Sequence, residues 1–448
     1  MNHQPFPTLG RLATSLALVA ALLLATCLGV SPASASVTSS LVESNITADT
    51  TWTAANSPYL VTVPISITSA ATLTIEAGVD VQFLTGASLQ IDGGLQAKGT
   101  PSQPVLLRAA SDTWAGLKVV QPARAIRLES VTLSDATVGL TLGPSVSAPN
   151  QRIDIIDSLI EGNRIGMNIV GGVLGSLRLT LRNNLFTANS LALLIDGLPT
   201  GQPRIKLEHN SFEGNGIALK ALNFGNRTLK IQQQWWGSTS GPEIISVTNN
   251  LTCTNSVSPA PGTFPQEIIC GLGNIDAVPF SKVPAGRRIV KPGEAAKLET
   301  GIGPSALNDN AVTASSLLTV SLPLGTFSQP VDLIAAPREP SGGLPGQPTL
   351  LEFEITAVAG GQEIHRFNQG KQITVEVAFD PADLNGADPN RLALYYFDEQ
   401  TGRWDFAGIT SFPDPAHNRL VARLEHLTRM RITSVDMGRV YVPMAEKN

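Results

Sequence analysis

The sequence predicts an all-β protein in two parts, a parallel β-helix through its N-terminal half followed by a β-sandwich. Three observations carry this. Aliphatic pairs two residues apart recur about every 26 residues between Ile126 and Ile231. The composition is 42% hydrophobic but only 15% charged, with 40 Gly and 31 Pro, which suits strands and turns better than exposed helices. Beyond residue 245 the repeat gives way to well-spaced alternating segments.

The chain opens on an export signal. His3 and Arg11 precede an apolar run from Leu12 through Val30, and Ala33-Ser34-Ala35 forms an A-x-A cleavage site. Residues 1–35 are therefore read as a signal peptide cleaved after Ala35. No basic stop-transfer flank follows the run, so no transmembrane span is expected after cleavage. Leu24-Ala25-Thr26-Cys27 offers lipid anchoring at Cys27 as an alternative, although Thr before the cysteine departs from the small residues of a lipobox.

Residues 36–245 are assigned to the β-helix. Short strands run through Leu60–Ile67, Leu73–Glu76, Val79–Phe83, Leu89–Ile91 and Val105–Leu107. The pairs Ile126/Leu128, Ile153/Ile155, Leu179/Leu181, Ile205/Leu207 and Leu229/Ile231 follow at spacings of 27, 26, 26 and 24 residues. Residues two apart on a strand share a face, so each pair points inward. Five residues after each pair comes another apolar residue: Leu133, Ile160, Phe186, Phe212 or Trp236. Small residues at Gly139, Gly166, Ala192 and Ala218, each followed by an apolar one, mark a third core-facing stretch. Three such stretches per repeat make one coil of a solenoid. Asn184 and Asn210 fall in one column and Asn163, Asn189 and Asn215 in another, which predicts hydrogen-bonded ladders at turns.

Four segments, "TLTIEAGVDVQF", "LQIDGGLQAKGT", "VLLRAASDTWAGLKV" and "QQWWGSTSGP", resemble bacterial extracellular right-handed β-helix proteins across Thr51 to Pro242. The resemblance implies fold and location. It implies no single activity, because lyases, hydrolases and adhesins share this architecture.

Residues 246–285, with Ser258 to Pro265 rich in proline, are read as a connector. Cys253 and Cys270 lie within it, and in an oxidising compartment these two are expected to pair. Segments at Leu317–Leu322, Leu350–Ala357, Gln372–Phe379, Leu392–Phe397, Leu420–Leu424 and Met430–Val435 give residues 286–438 the spacing of a sandwich. Here "LTVSLPLGTF", "LALYYFDEQTGRW" and "VARLEHLTRMRIT" resemble immunoglobulin-like modules of bacterial surface proteins. Trp404 is expected to pack on the sandwich, and His426 to be a hydrogen-bonded structural histidine. Residues 439–448, with Val440-Tyr441-Val442-Pro443, form a tail read as an edge strand or a retention signal.

A net charge of −5 without a clustered basic surface argues against nucleic acid as a partner. Outward columns on the repeat read Arg127, Asp154, Thr180, Lys206, Lys230 and Glu129, Ile156, Arg182, Glu208, Gln232. Their signs are mixed, so Asp154, Arg182, Lys206, Glu208 and Lys230 are candidates for binding rather than catalysis. Glu161 and Glu213 share an offset two coils apart, about 9.6 Å, near the separation of an inverting glycosidase. A turn role before a structural Asn explains them more simply. A lyase would need Ca²⁺ held by several acids, and one carboxylate column does not supply them. No cofactor and no metal site are expected, and His209, His365, His417 and His426 have no Gly-x-Ser-x-Gly partner. The leading reading is a monomeric secreted or cell-surface structural and binding protein, facing polysaccharide or another cell-envelope component. The alternative is a polysaccharide lyase or glycoside hydrolase.

Overall fold

The computed structural model describes residues 39–434 apart from 121, 144–151, 171–177, 198–203, 224–227, 247–266, 272–273, 279–280, 282, 285, 303–315, 339–348, 385 and 399. Residues 1–35, Cys27, Cys253 and residues 439–448 lie outside the described residues. The described residues from Ser39 onward belong to one compact unit.

Parallel pairing stacks the repeat into three sheets of eight, nine and seven strands. The seven-stranded sheet contains Ile126–Glu129, Arg152–Ile156, Arg178–Arg182 and Arg204–Glu208, paired in register as Leu128, Ile155, Leu181 and Leu207. Ile231 is fully buried in the same core, but its neighbour strand Thr228–Lys230 pairs with Asn274–Asp276 instead. In the eight-stranded sheet Leu133, Ile160, Phe186 and Phe212 form the second inward column. Phe186 stacks on Phe212 at 4.9 Å and Phe212 on Trp236 at 4.6 Å, so stacked aromatic rings fill successive rungs. The nine-stranded sheet aligns Leu140, Met167, Leu193 and Leu219 as the third.

Both asparagine columns are ladders. Asn184 Nδ2 donates to Asn210 Oδ1 at 2.9 Å, and Asn163 Nδ2 and Asn189 Nδ2 donate one rung onward at 3.1 and 3.0 Å. Each side chain also caps a backbone carbonyl of the preceding coil, and Asn163 and Asn189 cap one of their own coil as well, satisfying buried polar groups at a bend where strand pairing breaks off. The residue before Asn184 and Asn210 takes a left-handed conformation, Asn183 at φ 53° and His209 at φ 48°. That conformation turns the chain between sheets.

Parallel pairing continues past Ser246. Ile268–Gly271 pairs with Ile217–Leu222 as a further rung, so the stretch read as connector also supplies solenoid strands. The 52-residue interval from Asn215 to Glu267 hid that rung, since the repeat unit is half as long.

The C-terminal part consists of two antiparallel sheets, one of seven strands and one of five. They share one apolar core, to which Leu333, Phe353 and Ile432 come from the first and Leu298, Val320 and Val375 from the second. This module is fastened to the solenoid. Arg287 Nη1 donates to Asp157 O at 3.3 Å, Thr300 Oγ1 to Asn183 Oδ1 at 2.8 Å, and Arg338 lies 3.8 Å from Glu129. Ile156, Leu159 and Leu185 of the solenoid, and Ile334 and Ala336 of the module, are buried yet belong to neither core. Leu159 lies with Arg287 and Asp332 along the seam between the two parts. Among the described residues no helix is long and apolar enough to cross a membrane.

Candidate functional site

The two outward columns form as the spacing predicts. Arg127, Asp154, Thr180 and Lys206 align, as do Glu129, Ile156, Arg182 and Glu208. They are not an open face, however. Asp154 and Glu208 are buried, Asp154 beside Arg152 at 2.5 Å and Glu208 beside Lys206 at 2.9 Å. Arg182 is partly exposed. Lys230 is exposed but sits on the separate two-stranded ladder, opposite Asp276.

Glu161 and Glu213 are aligned through Thr187, two rungs apart. Their surroundings differ. Glu213 is buried and accepts from Trp235 Nε1 at 2.8 Å. Burial pushes its carboxyl up, against the opposing effect of Arg288. Glu161 is half-buried on a cleft of about 780 Å³ between the solenoid and the module, with Arg287 and Asp332 on the facing wall. Burial raises this carboxyl too, opposed by Arg287 and reinforced by Asp135 and Asp332. Arg287 is itself engaged, its Nε 3.0 Å from both carboxylate oxygens of Asp332.

The ladders end in residues the asparagine pattern did not reveal. Gln234 Oε1 accepts from Asn210 Nδ2 at 2.8 Å, and Glu267 Oε1 accepts from Asn215 N at 3.1 Å. Burial pushes the Glu267 carboxyl up to about 8 despite these hydrogen bonds, and its Oε2 has no partner. Buried between Arg182 and Lys206, His209 is pushed down to about 4.

A larger concavity, of about 1020 Å³, lies on the C-terminal module. Nothing in the sequence marks it, because its walls come from four separated segments around Phe327, His365, Tyr396 and His426. The His426 ring meets Tyr396 edge-on at 4.3 Å, and its Nε2 is buried without a hydrogen-bond partner, unlike the bonded histidine expected. Trp404 does pack, as expected, lying edge-on to Phe397 with the Arg431 guanidinium 4.1 Å above its ring. Among the described residues no group of three or more His, Cys, Asp or Glu side chains is placed to hold a metal ion.

No protein-family profile matches the chain. Over 57 residues, 13% of its length, it is 44% identical to the protein bark beetle of Drosophila melanogaster, and it spans 2% of that protein. The receptor-binding domain of the siphovirus 9NA tailspike aligns over 81% of this chain and 74% of its own, at 11% identity. The TM-score is 0.15, too low for the two folds to superpose.

Proposed function

We propose that this chain is an exported, non-catalytic protein of the cell surface, in which a rigid solenoid carries an attached module toward polysaccharide or another envelope component. The observation that carries this reading is the use made of the polar columns. Asp154, Glu208 and Glu213 are buried beside their own partners, so the positions best placed for chemistry on the solenoid serve the fold. Export follows from the Ala33-Ser34-Ala35 site, a pairing of Cys253 with Cys270 is part of the same reading, and so is an immunoglobulin-like identity for the C-terminal sheets.

One observation favours the alternative. Glu161 borders an interdomain cleft, a common place for ligands, with its carboxyl raised by burial as a general acid requires. The mature protein is to be incubated with pectate, alginate and β-glucans, with and without Ca²⁺, and with immobilised cell-envelope polysaccharide. Retention on the envelope material without new ends supports the proposal. Unsaturated or reducing ends lost in Glu161→Gln or Glu213→Gln would overturn it.

A further inference from the structure

We propose that the groove on the C-terminal module binds a short stretch of uncharged glycan. The inference rests on the surface-binding reading above and adds to it a site and a ligand class. The groove is already shaped. Asn368 N donates to Thr326 O at 3.0 Å, Leu427 N to His365 O at 3.1 Å, and Thr428 Oγ1 to Phe397 O at 3.1 Å, so all four wall segments are tied to one another. A preformed concavity spares a ligand the cost of ordering loops.

Charge selects the ligand. Glu363, Asp398 and Glu425 face a single Arg366 on the groove wall, which opposes uronates and phosphates. The same carboxylates do not form an open cation site. Glu363 lies 3.5 Å from His365, Glu425 accepts from Gln372 at 2.9 Å, and Asp398 accepts from Gln400 N and Thr401 Oγ1, each at 2.9 Å. What remains suits hydroxyl groups. Tyr396 and His426 present perpendicular flat rings, interplanar angle 77°, on which the C–H face of a sugar can rest. The Nε2 of His426 has no hydrogen-bond partner and is covered, so a small rotation of the ring toward the groove would let it bond a ligand hydroxyl.

The test uses calorimetric titration of the full mature chain with cellohexaose, mannohexaose and galactohexaose, and with hexagalacturonate and the chitosan hexamer as charged controls. At least one neutral hexamer should bind in preference to both controls. Tyr396→Ala and, separately, the exposed His365→Ala should weaken it by about tenfold or more, with thermal midpoints confirming that each variant is folded. Lys118→Ala, at an exposed position on the solenoid, should leave binding unchanged. Preference for a charged hexamer, no binding by any neutral one, or binding indifferent to both groove variants overturns the proposal. If Tyr396→Ala still adheres to envelope polysaccharide as the unaltered protein does, the groove fails while the surface-binding reading stands. If the unaltered protein does not adhere at all, the reading itself fails.

Discussion

Thr300 Oγ1 donates to Asn183 Oδ1 at 2.8 Å, so a strand of the C-terminal module bonds directly to a left-handed turn residue of the solenoid. Asn183 Nδ2 in turn donates to Asp157 Oδ1 at 3.2 Å, and the backbone carbonyl of Asp157 accepts from Arg287. The same turn column thus bends the coils and receives the module. Because these polar groups are buried along the seam, separating the two parts would break their bonds and expose them at once. The module and the solenoid are therefore expected to unfold together.

Gly286 tests that coupling. Its φ is +70°, and an added Cβ would meet Asn183 Cα at 2.7 Å, closer than such atoms approach. Gly286→Val should open the seam and split a single calorimetric transition into two. One unshifted transition would show that the parts are not coupled there.

Leu181 lies in the middle of the inward column between Ile155 and Leu207 and has no exposure. Leu181→Asp places an unpaired carboxylate in a dry core, and the loss expected is several kcal/mol, roughly 4 or more. A urea midpoint within error of the unaltered protein's would rule out the shared core.

That column was legible in the sequence because a parallel solenoid converts sequence interval directly into contact. Residues one repeat apart become neighbours, so Leu128, Ile155, Leu181 and Leu207 could be aligned by counting. Counting fails where the interval changes. Glu267 is a ladder member displaced by an inserted segment, and neither its distance from Asn215 nor its chemistry matches the pattern. Antiparallel sheets have no fixed interval, so nothing in the sequence joins Tyr396 to His426 or Thr300 to Asn183. Counting aligns the outward columns as far as Lys206 and Glu208 but not Lys230, and the spacing could not reveal that Asp154 and Glu208 would be buried.

The Asn210 side chain serves four polar groups. Its Oδ1 accepts from Asn184 N and Nδ2, and its Nδ2 donates to Leu181 O at 2.9 Å and to Gln234. Asn210→Leu keeps approximate volume but strands buried donors and an acceptor, at about 1–3 kcal/mol for each group left unpaired. The variant should melt well below the unaltered protein, and Asn390→Leu, at an exposed contact with Asp388, should not. Equal melting of both would mean that the ladder contributes no net stability.

Glu267 predicts a pH dependence whose sign can be worked out. Its carboxyl is raised from 4.5 to about 8 in the folded protein, chiefly by burial and further by nearby Glu213. Between those values the folded protein keeps a proton that the unfolded chain releases. This group's contribution to stability is therefore complete below pH 4.5, declines as pH rises, and is lost by about pH 8, an effect on the order of a few kcal/mol. Glu213, raised by burial as well, adds in the same direction. Glu267→Gln keeps the oxygen that accepts from Asn215 N and removes the ionisation. Urea midpoints at pH 5, 6.5 and 8 should fall steeply for the unaltered protein and less steeply for the variant, with the variant the more stable at pH 8. Parallel curves for the two proteins would place the titration elsewhere.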